Sequence, residues 1–381
     1  PVMVLLSEKL LQRTAHRKFL PSFDKFAKWC MRLSIPFTLI AALIVVPAFL
    51  GSRNTEYVYG ASGFVEPGSQ LYEDTELIEE TFNASGQCAV LVPEGQWGKE
   101  KELVAALDTL PHVSSITSYV TTVSERIPTD MVPPASLESL ISGGYSRIII
   151  ATDLRGESPE AFELVQRIRD LCQLYYPDEA KLIGSTVTSY DMSLIVNDDS
   201  ARVLFASIIA IGLVLLLMFR SLSIPLILLL TIESSIWINL AIPYFAGETI
   251  QYIGYLIISA IMLGATVDYT IILTRSYLDK RRVQPKRQAI TEAISRSAIT
   301  ILTSATILTL CGAFIGLISS NGVIASLGTL IGRGAFIAAL NTFLLLPMLF
   351  MIFDRVIEKT TLGTHFYKQP YKQPLEEKAG R

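Results

Sequence analysis

The chain has 381 residues, half of them hydrophobic, only 18% charged, with a mean hydropathy of +0.43. A soluble domain carries nearer ~25% charge, so the composition argues against a wholly water-soluble protein. Four cysteines in this length exclude a disulfide scaffold, and a net charge of -3 gives no reason to expect nucleic acid. The charge is unevenly spread. From Arg53 to Asp199 there are 24 acidic and 9 basic residues, a charge of -15, against 11 acidic and 23 basic elsewhere, +12. An acidic block inside a basic, apolar chain predicts a membrane protein with one large extracytoplasmic domain.

A bilayer core needs ~20 mostly apolar residues per helix, and six stretches qualify. They run from about 33 to 49, 203 to 218, 224 to 245, 252 to 273, 299 to 318 and 325 to 353. Before the first span, Phe23, Phe26 and Trp29 share a face beside Lys25 and Lys28, the pattern of an interfacial helix lying along the inner leaflet. Basic residues precede the first span, fill the loop between the fourth and fifth (Lys280, Arg281, Arg282, Lys286, Arg287) and follow the sixth (Arg355, Lys359). Six alternating spans put all of them on one side, which the positive-inside rule assigns to the cytoplasm. The organisation expected is therefore a cytoplasmic segment 1–32 with the interfacial helix, a first membrane helix 33–52, an extracytoplasmic domain 53–199, five further spans within 200–353 and a cytoplasmic tail 354–381.

Residues 1–14 overlay residues 347–360 at an offset of 346, with Pro1 on Pro347, Glu8 on Asp354, Lys9 on Arg355 and Thr14 on Thr360. That match predicts a preceding copy of the same six-span unit. The other reading is a shared membrane-exit pattern of an apolar run followed by an acid–base pair.

The acidic block reads as helix 69–82, strand 87–92, helix 98–109, strand 113–120, strand 147–152, helix 157–175 and strand 181–187. That order is the βαβ–βαβ of a ferredoxin-like α+β sandwich. A helix over 188–202 then leads straight into the second span. No catalytic or metal-binding spacing appears, so no enzyme active site, metal or cofactor is expected. Cys88 and Cys172 could meet if their strand and helix pack face to face, and they read as two buried free thiols rather than a disulfide; Asn83-Ala-Ser85 is a weak glycosylation match.

Chemistry is expected in the spans, where an ionised side chain costs ~2.5–3.5 kcal/mol on insertion scales. Asp268, Glu233 and Arg333 are such residues. Asp268 follows Gly264-Ala-Thr-Val and precedes Tyr269, so small residues let a neighbouring helix approach a carboxyl with a phenol next to it. That arrangement suits a proton relay, and equally a carboxyl that ties two helices together. Glu233 and Arg333 are possible intramembrane polar partners, Arg333 as a packing or counter-ion residue.

These residues resemble the resistance-nodulation-division superfamily, and within it the MMPL group of hydrophobe exporters. The resemblance rests on six spans with an outside domain after the first and on the run Gly264-Ala-Thr-Val-Asp-Tyr-Thr270. It also rests on Asp279-Lys-Arg-Arg282, on Gly328-Thr-Leu-Ile-Gly-Arg-Gly334, and on the exit Pro347 to Arg355. It implies a six-helix bundle with an inserted ferredoxin-like porter domain, forming the second half of a proton-driven exporter in the cell membrane. The substrate implied is hydrophobic or lipid-like. It further implies that Asp268 and Tyr269 are one of two Asp-Tyr pairs of a relay, the other coming from the missing first half. Asp268 is followed by Tyr rather than a second Asp, which departs from the drug-efflux branch. A membrane sensor or assembly protein of the same fold is the alternative, and homo-oligomerisation stays open.

Overall fold

The computed structural model describes residues 23–362, apart from 56, 61–69, 71–72, 75–76, 79–80, 82–85, 124–130 and 155, together with 366–367. The end-to-end repeat, the Asn83 sequon and most of the helix expected over 69–82 lie outside the described residues.

Among the described residues, six helices are long and apolar enough to cross a membrane. Helix α1 is Asp24–Arg53. The segment read as an interfacial helix is its first turns, continuous with the span. The reason is packing: Ala27, Cys30 and Met31 are buried in the bundle core, so this end of the helix is held by protein.

After α1 the short strand β1 (Tyr57–Val58) leads to the sheet domain. There follow β2 (Gly86–Pro93), α2 (Trp97–Asp108), β3 (Val113–Thr117), β4 (Tyr145–Thr152), α3 (Pro159–Tyr175) and β5 (Lys181–Gly184). The sheet order is β3–β4–β2–β5, antiparallel throughout, with Ile141–Ser142 added against β4. This is the ferredoxin-like order. Alternation puts Val90, Val92, Ile148 and Ile150 on one face, where Leu103, Leu107, Leu164 and Ile168 cover them. Strand β3 stops three residues before the expected Val120. Ser118 caps a short helix there, its N–H donating to Thr121 Oγ1 at 2.8 Å. Cys88 and Cys172 are buried free thiols, and burial pushes them up to about 11 and about 12.

Among the described residues, one acid is buried in this domain. Glu100 in α2 is 1% exposed. Burial raises its pKa from the ordinary 4.5, against the opposing pull of Ser146, the Val120 backbone and Ser118. With a raised carboxyl the folded state binds more protons than the unfolded one, so stability falls as pH rises from 4.5 through the folded value. Glu100→Gln is expected to remove this slope and to stabilise the domain at neutral pH. Hydrogen exchange of α2 between pH 5 and 8, corrected for intrinsic rates, would show no change in slope if Glu100 were ordinarily solvated.

Helix α4 (Ser185–Phe219) runs unbroken from the sheet domain into the second span, about 52 Å at ~1.5 Å per residue. Strand β5 ends at Gly184 rather than 187 because α4 has already begun. Helix α5 (Ser223–Ala246), β6 (Ile250–Gln251), α6 (Tyr252–Arg281) and α7 (Lys286–Ile318) follow. The sixth span is broken into α8 (Gly322–Leu340), a π-helical turn Asn341–Leu345 and α9 (Leu346–Thr360). Pro347 lacks the N–H that an α-helical ladder would require, and the wide turn falls just before it.

Helices α7 and α8 form a tight hairpin. Gly312 and Gly316 face Gly328 and Gly332 so closely that a Cβ on Gly312 would lie 2.5 Å from the Gly332 nitrogen. This is small-residue packing of the kind membrane helices use in place of a hydrophobic driving force. The start of α1, the end of α6, the start of α7 and the end of α9 meet at one end of the bundle. Ser295 donates to Asp24 there at 2.8 Å, and Arg281 pairs with Asp354. This is the basic end.

Candidate functional site

Asp268 lies 16 residues from one terminus of α6 and 13 from the other, about 24 and about 20 Å along the axis. It is exposed, in a stripe with Ile257, Ile261 and Gly264 at helical spacing. Among the described residues, nothing lies within 4 Å of where a Cβ on Gly264 would point. Among the described residues, Asp268 makes no hydrogen bond or ion pair. Tyr269, next in sequence, points instead into the bundle core and is 3% exposed. The other face of α6 carries Thr266, Thr270 and Thr274, all buried and all bonded back to their own helix. Among the described residues, helix α6 therefore packs on its threonine side and leaves its aspartate side uncovered.

One turn and more toward the basic end, an open recess of about 350 Å³ is lined by Ile271, Ile272, Arg275, Ser276, Asp279 and Arg296. It continues the Asp268 side of α6 to the bundle end.

The four intramembrane candidates do not converge. Glu233 on α5 is 6% exposed, and its Oε1 has no partner among the described residues. Arg333 on α8 donates to Asn239 twice, Nε to Oδ1 and Nη2 to the backbone oxygen, both at 2.9 Å. Asn239 also donates to the Leu330 carbonyl at 3.0 Å. Asn341, at the head of the π turn, donates to Ser235 at 2.8 Å and Ser234 at 3.3 Å. These amides tie the sixth span to α5. Sequence reading passed over them, although an asparagine inside an apolar run carries the same desolvation signal as a charge.

A second structure missed from sequence links the sheet domain to α6. The Glu157 carboxylate accepts from the Tyr59 N–H at 2.6 Å and from Ser189 Oγ on α4 at 2.9 Å. Beside it, Gly60 has no room for a Cβ. Just before Tyr59, β1 pairs in parallel with β6, Tyr57 opposite Ile250 and Val58 opposite Gln251. Strand β6 runs directly into α6. Tyr59 stacks on Tyr252 with centroids 5.5 Å apart, and Tyr57 lies 4.9 Å from Tyr255. The domain base, the exit of α1, the top of α4 and the start of the Asp268 helix are thus one connected strap.

A membrane bundle of this order, with a ferredoxin-like domain inserted after the first span and a carboxyl midway along the fourth, defines a polytopic membrane protein of transporter type. Its sequence matches the MMPL family over residues 64–368, and the chain belongs to that family. It is 27% identical over 267 residues to the Mycobacterium bovis "Probable transport protein MmpL8", covering 67% of this chain and 23% of that protein. It is 26% identical over the same length to the Mycobacterium tuberculosis "Sulfolipid-1 exporter MmpL8", with the same coverage. The chain therefore spans about a quarter of the length of these relatives. Among solved structures, a heavy metal efflux pump matches with a TM-score of 0.53 at 12% identity, over 87% of this chain and 49% of that one, a likeness of fold.

Proposed function

We propose that this chain is part of a proton-driven exporter of a lipid-like substrate, with Asp268 as its proton-carrying group and the basic end at the cytoplasm. The observation that carries the reading is the placement of Asp268. A carboxyl midway along an apolar span costs several kcal/mol unless covered or neutralised, and here it sits on an exposed stripe with Ile257, Ile261 and Gly264 that no described residue covers. A second set of helices laid on that stripe would bury it and supply a partner. The recess from Ile272 to Asp279 gives water a way to the same face from the basic end. Burial and hydration then favour opposite protonation states, which is the requirement for carrying a proton between two sides. The match to a relative named as a sulfolipid exporter supports a lipid substrate.

The strap supplies the mechanical half of the reading. Movement of the sheet domain reaches α6 through Glu157, Tyr59 and the β1–β6 pair without crossing the bundle. Glu157→Gln keeps shape but weakens two charge-assisted hydrogen bonds, each worth roughly 1.5–3 kcal/mol. It is expected to lower export several-fold with proton binding intact. Unchanged export at equal protein level would remove the strap from the coupling path.

The function is tested in proteoliposomes holding the full-length gene product, with a fluorescent lipid as cargo and an imposed proton gradient. Export that stops with a protonophore supports the reading. Gradient-independent behaviour, or no lipid movement at all, favours a sensor or assembly role.

A further inference from the structure

Apart from the Asp268 face, the bundle holds a second feature that proton transfer does not use. A cavity of about 330 Å³ opens sideways between α1, α7 and the sixth span near the basic end, at the lower end of the ~300–1,000 Å³ range of ligand pockets. Its floor is made by two small buried residues, Ala305 and Ala339. Its end toward the basic side is closed by Phe26 and Phe343, edge to face with centroids 5.3 Å apart. Phe343 is there because of the π turn, which Asn341 pins to Ser234 and Ser235. Trp29, 56% exposed, and Phe336 form the open rim.

The walls are almost wholly apolar, and exposed cations on α1 flank the Trp29 rim. Lys25, Trp29 and Arg32 fall at i, i+4 and i+7 on one side of α1, all exposed, and neither cation forms an ion pair among the described residues. A protein helix is ~10–12 Å across with its side chains and does not fit a slot of this volume. A single hydrocarbon chain does.

We propose that this groove binds one acyl chain of an anionic phospholipid, whose headgroup lies against Lys25 and Arg32 while Trp29 marks the interface. The inference rests on the transport reading only in naming the leaflet as the cytoplasmic one, and binding is independent of export. An apolar slot with cations beside its rim selects a lipid by both parts at once: the chain by burial, the headgroup by charge.

The test uses the full-length protein in nanodiscs of zwitterionic phosphatidylcholine. These are doped with either phosphatidylglycerol or phosphatidylcholine carrying a mid-chain diazirine, and adducts are mapped by peptide mass spectrometry. Both leaflets are alike in a nanodisc, so an error in orientation or in transport leaves the result unaffected. Phosphatidylglycerol adducts are expected on residues 302–310 and 336–344, in excess over phosphatidylcholine by roughly five-fold for each basic residue engaged. Lys25→Gln with Arg32→Gln should bring that ratio to one. Ala305→Leu with Ala339→Leu should empty the groove of label while Leu39 and Leu43, on the bilayer-facing side of α1, keep theirs. Equal labelling by the two lipids overturns the proposal, as does label spread evenly over α1 or label that survives the filled groove. If the filled variant does not fold, the surface pair Lys25→Gln and Arg32→Gln decides alone.

Discussion

Asp268→Asn is expected to reduce export by roughly 100-fold or more, the scale on which removal of a proton-transfer group is felt, and to leave the protein folded in the membrane. The fold should survive because the side chain has no partner among the described residues and Asn has the same shape. The magnitude follows from what one proton supplies. A charge falling through ~100 mV yields ~2.3 kcal/mol, and one pH unit adds ~1.4 kcal/mol. Together they sustain roughly a 500-fold gradient per coupled proton at ~1.4 kcal/mol per decade. A side chain that cannot exchange a proton forfeits all of it. The measurement is lipid export at matched protein levels, with and without protonophore. The mutant should match the protonophore-treated wild type. Tyr269→Phe should reduce export less, since the phenol is packed in the bundle core and turned away from the open face that carries the carboxyl. Full export by the Asp268→Asn protein would make the residue a packing group and bring the sensor reading forward.

The sequence makes some of this legible and hides the rest for physical reasons. Spans are legible because each must satisfy its own backbone and present apolar side chains over ~20 residues. The sheet domain is legible because strand and helix periods alternate along it. Where one element ends is harder. The pattern Phe23, Phe26, Trp29 is the same whether a helix lies on the bilayer or packs by an adjacent face, and only tertiary contact at Ala27 and Cys30 decides it. Which side of α6 Asp268 takes could not be read, because Gly264, Thr266 and Thr270 are all small enough for either side. The strap is invisible for a different reason. Two residues, Tyr57 and Val58, pair with two others nearly 200 positions away, and no local period announces a two-residue strand.

The strap and the recess also give the helix bearing Asp268 two distinct ends. At its start, α6 is joined to the sheet domain through β6; beside its second half the Asp268 side opens into the recess that Arg275, Asp279 and Arg296 help to line. A displacement at one end can therefore change burial in the middle while the other end stays fixed. That requires the basic end to be rigid, and the residues around Arg281 make it so.

Loss of the Asp354 carboxylate should destabilise the protein by about 3–5 kcal/mol, the cost of stranding one partner of a buried ion pair. Arg281 meets Asp354 with two bonds, Nε to Oδ1 at 2.9 Å and Nη2 to Oδ2 at 3.0 Å. The Tyr277 hydroxyl adds a third at 2.6 Å, and its ring stacks on Phe350 with centroids 4.9 Å apart. The same guanidinium holds the segment after α9, donating to the Tyr367 carbonyl at 2.8 Å and lying 4.9 Å over the Phe366 ring. Asp354→Ala leaves that cation buried with its tail contacts but no counter-charge, so both thermal stability and protease resistance around Phe366 should fall. Joint replacement, Arg281→Met with Asp354→Leu, should recover most of the thermal stability, because buried pairs exchanged whole for apolar groups are often neutral. It should not recover protection of Phe366, which needs the guanidinium itself. If the double variant is no more stable than Asp354→Ala, the pair contributes through something other than its charges, and the rigid end must be sought in the α1–α7 contact instead.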